Sequence, residues 1–357
     1  MKILFRYIFF EQLKSFIIIL LLILIIYLGF DIIFRVDNFI EARTGLWDSL
    51  LYFFYKIPYI IYQIIPPALI LSSIYVVTNM KRNRELIILK AGGIDIRKIL
   101  IPFIIWGTII SLFLFIFLDS ILPVCSRNFY NIWYIKVEKR GPYRVNRLNR
   151  IWYRVGDRIF YIPYLDIINK KIISPSIFYL NNSFKLIKKI SAKEARWVNN
   201  KWILYDVISV KFLKDRPTFK RFNRLDMDLQ RTPTDFLLLD RKSEEMSLFE
   251  LRNIINELDR VGINVTRYKV DFYYKISYIF MPIIIIVLGA ITSLKIKNMN
   301  ILFSQLVGIM IIFFYALSFM YCRSLSISEI LPPLISAWIP SFLSLSFLIY
   351  LITDLAL

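Results

Sequence analysis

Long apolar runs lie at both ends of the chain, and a more polar stretch separates them. A membrane-spanning helix needs roughly 20 mostly apolar residues, and six runs meet that length. They cover residues 15–36, 57–80, 99–122, 272–294, 300–322 and 331–353. The pattern predicts an α-helical membrane protein with six transmembrane helices, arranged as three plus three around an inserted domain.

The polar stretch at residues 123–271 has the pattern of a β domain. Short aromatic and β-branched segments alternate with turn-forming residues, which is typical of a sandwich or jelly roll. The predicted strands cover residues 152–155, 158–162, 176–180 and 201–207. Near the end of the stretch the apolar period becomes helical, and Ser247 with Glu250 forms a capping-box pattern. We therefore expect an amphipathic helix over 247–260.

These patterns divide the chain into three segments. Residues 1–122 hold the first three transmembrane helices, and residues 272–357 hold the last three. Lys and Arg are unevenly distributed between the short connections: eleven lie at the N-terminus and after the second and fourth apolar runs, against four in the other short connections. Because such residues are enriched on the cytoplasmic side, we expect both termini in the cytoplasm and the large domain outside.

Composition narrows the chemistry. The chain has a mean hydropathy of +0.58 and no histidine, so the commonest general base and metal ligand is absent. Phosphate-loop, zinc-protease and serine-hydrolase motifs are missing as well. Within the spans, Asp31, Arg35, Asp119 and Lys275 all lie near span ends, unlike the buried charge chain of a proton-coupled carrier. A transport function would therefore draw its energy from a partner, with no cofactor bound directly.

Two features of the sequence keep alternatives open. Cys125 and Cys322 both fall near outer span ends, and they are either a disulfide pair or two unpaired small residues, of which we prefer the second. The segment 123–271 holds about 30 Lys and Arg against 16 Asp and Glu. That excess indicates either an ordinary solvated surface or a domain that meets anionic lipid. Nucleic acid is excluded as a partner because the domain faces outward.

The connection between the second and third runs carries the most specific pattern. Residues 81–95 are too long and too apolar for a plain turn, and they predict a short helix at the membrane surface that ends at Gly92 and Gly93. Glu85 is the acidic residue among several basic ones. Basic loops commonly act only as topology signals, but a carboxylate on a cytoplasmic helix also suits an arginine-lined ATPase groove.

Four segments, taken in order, resemble motifs of the lipopolysaccharide-export permease family LptF/LptG, and so does the basic N-terminus. The similarity extends over nearly the whole chain. The matching segments are RELIILKAGG at 84–93, AKEARWVNNKWIL at 192–204, YKVDFYYK at 268–275 and PPLISAWIP at 332–340. The resemblance implies a six-helix half-transporter whose periplasmic domain is a β-jelly roll. The first bundle favours LptG slightly over LptF.

The resemblance also implies partners and a mechanism. Two such permease subunits form a cavity open to the outer leaflet of the inner membrane. A cytoplasmic ABC ATPase dimer, which uses the ATP, collapses the cavity and expels lipopolysaccharide toward a membrane-anchored, LptC-like jelly-roll protein. By this likeness Glu85 engages the ATPase, within a coupling segment that includes Arg84, Leu86 and Gly92.

Arginine near the outer mouth is the candidate contact for lipid phosphates, because guanidinium groups bind phosphate through two hydrogen bonds. Arg35 and Arg43 are the candidates, although LptG-like chains often place a lysine where this chain has Phe34. The alternative is that the Arg35 side chain only extends to the lipid headgroups at the membrane surface. The competing function is an accessory or signalling membrane protein whose outer domain binds a ligand and transports nothing. A membrane enzyme fits less well because neither histidine nor clustered carboxylates are present.

Overall fold

The computed structural model describes residues 2–139, 147–155, 157–166, 169–181, 185–198, 201–212, 217–227, 242–260, 264–296 and 300–353. The chain forms two compact units. The helical unit comprises Met1–Asp37, Phe53–Ser126 and Thr266–Leu357, and the second unit comprises Asn38–Tyr52 and Arg127–Val265.

The apolar runs form long helices. They are α1 (Lys2–Glu41), α2 (Leu46–Arg82), α3 (Glu85–Ala91), α4 (Ile96–Ile116), α5 (Leu122–Ile132), α6 (Leu248–Arg260), α7 (Thr266–Lys295), α8 (Ile301–Ile327) and α9 (Pro333–Thr353). A π-helical turn, Phe117–Ile121, joins α4 to α5, and a second one, Trp133–Val137, follows α5. Helix therefore continues from Lys98 to Val137, past residue 123, where the sequence pattern placed the start of the inserted domain.

Six helical stretches of the described chain are long and apolar enough to cross a membrane. They match the six predicted runs and confirm the membrane-helical fold with an inserted β domain. Five of them are longer than their predicted apolar runs, because the helices extend into flanking residues, and the sixth, Pro333–Thr353, begins two residues after the predicted start at 331. Cys125 and Cys322 are free thiols, so the unpaired interpretation of the cysteines is confirmed.

Helix α7 is the central helix of the helical unit. Most of its apolar stretch is buried, whereas that of α1 is almost wholly exposed. Close packing against α2 depends on Gly289, because a Cβ atom there would lie 2.3 Å from Ser73 Oγ and 3.0 Å from the Ile70 carbonyl oxygen. The absence of a side chain thus lets α2 and α7 approach closely.

The described strands form one antiparallel sheet. They are β1 (Arg147–Val155), β2 (Arg158–Asp166), β3 (Lys171–Ile173), β4 (Ser176–Leu180), β5 (Leu186–Val198), β6 (Lys201–Phe212) and β7 (Pro217–Met227). Their order is β1-β2-β3-β5-β6-β7, with β4 pairing to β2 and β5 beside β3. Neighbours along this path follow chain order, as in an up-and-down sheet, so the inserted β domain is confirmed and the expected jelly roll is matched approximately.

One face of the sheet carries the hydrophobic core of the β domain. Trp202 is fully buried there, and its ring lies 5.3 Å from that of Trp197 in an edge-to-face arrangement, a geometry that adds to simple area burial. The two tryptophans come from the end of β5 and the start of β6, which are directly paired. The pairing of β5 with β6 therefore brings both rings into the core.

Helical segments of the second unit are joined by aromatic and polar contacts. Tyr52 is buried between Phe39, Phe129 and Trp133, with ring centroids 5.2 to 5.9 Å apart. At the start of α6, the Ser247 amide donates to a Glu250 carboxylate oxygen, and the Glu250 amide donates to the Ser247 hydroxyl oxygen. The predicted capping box is therefore formed.

Candidate functional site

Backbone geometry isolates α3 as a separate short helix between α2 and α4. Arg84 has a φ of 62°, a left-handed conformation that ends α2, and its carbonyl oxygen accepts hydrogen bonds from the amides of Ile87 and Ile88. At the other end, Gly93 has a φ of 74° and the Ile94 amide donates to the Leu89 carbonyl. This is the Schellman pattern that commonly ends helices.

The side chains of α3 divide between the bundle and the surface. Leu86 is buried, whereas Ile87 and Ile88 are 57% and 68% exposed. Adjacent apolar side chains exposed on a short surface helix are typical of a protein or membrane contact. The helix therefore combines an anchoring residue with an exposed apolar surface.

Glu85 begins this helix and is held from two sides. Its Oε1 atom accepts a hydrogen bond from the Tyr7 hydroxyl at 3.2 Å and one from Asn83 Nδ2 at 3.3 Å. An ionised carboxylate accepts about four hydrogen bonds, so these contacts orient the group and leave acceptor capacity. Tyr7 lies in the basic N-terminal stretch, which the sequence interpretation did not connect with Glu85.

Gly92 has a less specific place than the sequence suggested. It is exposed, and a Cβ atom there would lie 3.4 Å from the Ile88 carbonyl oxygen, which is close to ordinary contact. The left-handed conformation falls on Gly93, the next residue. Of the two glycines, the backbone needs Gly93 more than Gly92.

Lys81 connects the end of α2 to the end of α7. Its ammonium group donates to the carbonyl oxygens of Leu294 and Ile296, both at 2.7 Å, and also to that of Ser293. The last carbonyls of a helix lack partners within it, and a cation near them is favoured by the helix dipole. Thr78 and Ser293 add a hydroxyl contact at 2.9 Å. The joint before α3 is thus fixed to the central helix.

Arg35 takes part in a charged cluster. Asp31 Oδ1 lies 3.0 Å from Arg35 Nε, and Asp31 Oδ2 lies 2.6 Å from Lys56 Nζ. The Lys56 side chain is 5% exposed and that of Arg35 is 34% exposed. One carboxylate therefore holds a buried and a half-buried cation together. Sequence reasoning counted Lys56 only as a topology signal, because it stands just before an apolar run and nothing near it in the sequence indicates burial.

The backbone fixes the position of Arg43. Its φ is 53°, and the Thr44 amide donates to the Phe39 carbonyl at 3.1 Å, so Arg43 occupies the position after α1 at which glycine is usual. The side chain is exposed. Arg35 belongs to the helical unit and Arg43 to the second unit, so each candidate is described by itself.

A second charged pair links α7 and α8. Arg323 Nη2 lies 2.6 Å from Asp271 Oδ1, and the Asp271 side chain is 7% exposed. The Thr266 hydroxyl donates to Glu329 at 3.0 Å near the same helix ends. These contacts hold the beginning of α7 to the end of α8.

Comparison with known proteins adds one finding. The profile of a family described as "Lipopolysaccharide export system permease LptF/LptG" matches residues 6–354, which is nearly the whole chain. A search of curated protein sequences returns no significant match.

Proposed function

The chain belongs to the LptF/LptG family of lipopolysaccharide export permeases, and from that premise we propose that it is one of two permease subunits of an ATP-driven exporter. It is a multi-pass inner-membrane protein and the permease component of a transporter. In the proposed cycle, the subunits extract lipopolysaccharide from the outer leaflet and pass it to a periplasmic bridge. Assignment to LptG rather than LptF stays a prediction.

We propose that α3 faces the cytoplasm and docks the partner ATPase. The excess of Lys and Arg in the connections on that side supports this orientation. Exposed Ile87 and Ile88 supply apolar area, and Glu85 supplies a carboxylate already oriented by Tyr7. A charge-assisted hydrogen bond from an arginine of the ATPase would use the acceptor capacity that remains on Glu85. ATP binds and is hydrolysed on that partner.

We further propose that Lys81 carries motion of α3 into the bundle. The ammonium group of this residue holds three carbonyls at the end of α7, and α7 is the most buried span of the described chain. A displacement of α3 would therefore act on the central helix as well as on α2. The observation that best supports the proposed function is that Lys81 joins the α2–α3 connection, next to Glu85, to the end of α7.

For the lipid, we propose that the cations near the outer ends of the spans meet phosphate groups. Arg35 remains half-buried beside Asp31, so it would exchange part of a carboxylate contact for a phosphate contact. Arg43 is exposed and needs no such exchange. The exposed apolar faces of α1 and α8 suit acyl chains or the second permease subunit.

The test is co-purification of the full-length protein with its ATPase in mild detergent. We expect Glu85→Arg to reduce ATPase recovery about tenfold or more, the loss that corresponds to a charged hydrogen bond. Asp37→Arg makes the same charge change at an exposed position of α1 and should leave recovery intact. Tyr7→Phe, which keeps the charge of Glu85, should have an intermediate effect.

Undiminished ATPase recovery and lipid export with Glu85→Arg would contradict the docking role. If no ATPase accompanies the wild-type protein, and lipid export in vesicles is absent, the non-transporting accessory function is favoured instead. Insertion of each variant, measured by its yield in the membrane fraction, separates loss of docking from loss of folding.

A further inference from the structure

The face of the sheet that carries the hydrophobic core becomes polar toward the rim where β2 begins and β4 ends. Phe160, Ile177 and Ile190 lie opposite one another across β2, β4 and β5, and each is at most 3% exposed. Side chains two positions apart on a strand share a face. Positions two residues closer to the rim therefore extend the same face outward from the core.

Those rim positions are mostly cationic. The row consists of Arg158 on β2, Tyr179 on β4, Lys188 on β5 and Lys211 on β6, each opposite the next, and we call it the basic row. The guanidinium carbon of Arg158 lies 5.1 Å from the centre of the Tyr179 ring, and the ammonium of Lys188 lies 5.4 Å from it. One aromatic ring therefore holds two cations beside it.

One pair of neighbours in the basic row is unfavourable by itself. Lys188 and Lys211 are directly opposite on neighbouring strands, where Cβ atoms lie about 4.5–5.5 Å apart and like charges destabilise the sheet. Both ammonium groups can meet at one point above the sheet, because each has a flexible four-carbon stem. An anion at that point would convert repulsion into attraction.

Acidic residues pair with cations at other positions of the described sheet, whereas the cations of this row are largely without them. Glu194 lies within 2.7 Å of both Lys171 and Arg196. On β7, Arg221 and Arg224 each pair with a nearby aspartate. Among the residues that the structure describes, Lys188 and Lys211 form no ion pair. Arg158 has only a long contact of 3.7 Å to an exposed aspartate of the adjoining turn.

We propose that the basic row binds a phosphoryl group, and that the headgroup of the exported lipid supplies it. The second part rests on the proposed function. A phosphoryl group has oxygens enough for two ammonium groups and a guanidinium at once. Placement at the edge of the apolar core suits an amphiphile better than free phosphate, because its charged group would meet the row while its apolar part stays near the core face.

Photocrosslinking tests this site in the full-length protein assembled with its partners. A benzophenone side chain replaces Thr218, an exposed and uncharged residue opposite Lys211. The probes are lipid A with two, one or no phosphates, and inorganic phosphate serves as competitor. We expect less lipid to be captured as the number of phosphates on lipid A decreases. Combining Lys188→Gln with Lys211→Gln should lower capture about tenfold or more, which is the effect of one lost charged contact.

Lys189→Gln is the matched control, because Lys189 lies opposite Val210 on the other face of the same strands, and it should leave capture unchanged. Capture that ignores phosphate number or both lysines would overturn the site. Competition by inorganic phosphate at concentrations comparable with the lipid would overturn the assignment to a lipid headgroup.

Lys211→Glu separates a binding role from a structural one. It places opposite charges across the strands, so we expect a higher thermal unfolding midpoint together with lost capture. Higher stability with capture retained would contradict the proposal.

ATP-dependent release of lipid, measured on the same samples, distinguishes failure of the proposed site from failure of the proposed function. If lipid is exported but its capture does not depend on Lys188, the site is overturned and the proposed function stands. If capture of added lipid depends on the lysines but no lipid is exported, the proposed function is overturned and the site stands.

Discussion

The ammonium nitrogen of Lys81 lies 2.7 Å from the carbonyl oxygen of Ile296, just beyond the last turn of α7. Lys81 itself is in the last turn of α2, a few residues before α3 begins. A single side chain thus joins the segment proposed to meet the ATPase to the most buried helix of the bundle. Partner-driven motion of α3 would therefore reach the bundle interior without passing through the length of α2.

We expect Lys81→Met to weaken this connection, because the terminal carbonyls of α7 lose a charged donor that is worth about 1.5–3 kcal/mol. ATP hydrolysis should continue while the amount of lipid exported per ATP falls. Lys81→Arg should retain most coupling, and Arg82→Met, at the next and exposed position, should behave as wild type. Equal export per ATP in Lys81→Met and wild type would contradict the connection.

Asp31 and its two cations predict an order of stabilities. Asp31→Leu should be the most harmful, since it removes the carboxylate that Arg35 and buried Lys56 share, and breaking a buried pair costs about 3–5 kcal/mol. Lys56→Met should cost less, because Arg35 still contacts Asp31. The double variant Asp31→Leu/Lys56→Met should recover much of the loss. Thermal unfolding in detergent measures all three, and strictly additive losses would contradict the shared contact.

The fold was largely predictable because hydrophobic length and strand alternation act locally. The predicted strands all lie within observed ones, whereas β3, β5 and β7 were missed. The sequence KKISAKEAR within β5 shows why: many of its residues are charged or small, and its strand conformation depends on pairing with β4 and β6. Cross-strand pairing overrides local preference in such segments.

The candidate site was less predictable for the same physical reason. Glu85 and Asp31 were visible as charges in unusual places, but Tyr7, which donates to Glu85, is 78 residues away, and Lys56, which donates to Asp31, is 25 residues away. Lys81 was assigned only to the topology signal, because nothing near it in sequence indicates the terminal carbonyls of α7. Contacts between distant helices decide these roles, and a single sequence does not contain them.

The close approach of α2 and α7 predicts a contrast between two glycines. Gly289→Ala would place a Cβ atom 2.3 Å from Ser73 Oγ, and such overpacking costs about 1–3 kcal/mol. Gly29→Ala has nothing within 4 Å of its added atom, so it should be neutral or stabilising by about 0.4–1 kcal/mol. Unfolding in detergent measures both. Adding Ser73→Ala should relieve part of the Gly289→Ala effect, and no relief would contradict this packing.

The β domain should carry a specific dependence on pH. Hydrogen bonds from Lys171 and then Arg196 lower the pKa of the Glu194 carboxyl below its ordinary value of 4.5. A carboxyl with a lowered pKa in the folded state stabilises that state above its unfolded pKa, and the contribution disappears as the pH falls through the folded pKa. Glu194→Gln should therefore be less stable than wild type at pH 7, and the difference should shrink to nothing as the pH falls well below 4.5.

Asp226→Asn removes an exposed pair to Arg224 and should show little difference at any pH. Thermal unfolding of the full-length protein across this range gives the answer, because a constant gap between Glu194→Gln and wild type would mean that the carboxylate's charge is not what stabilises the strand pair.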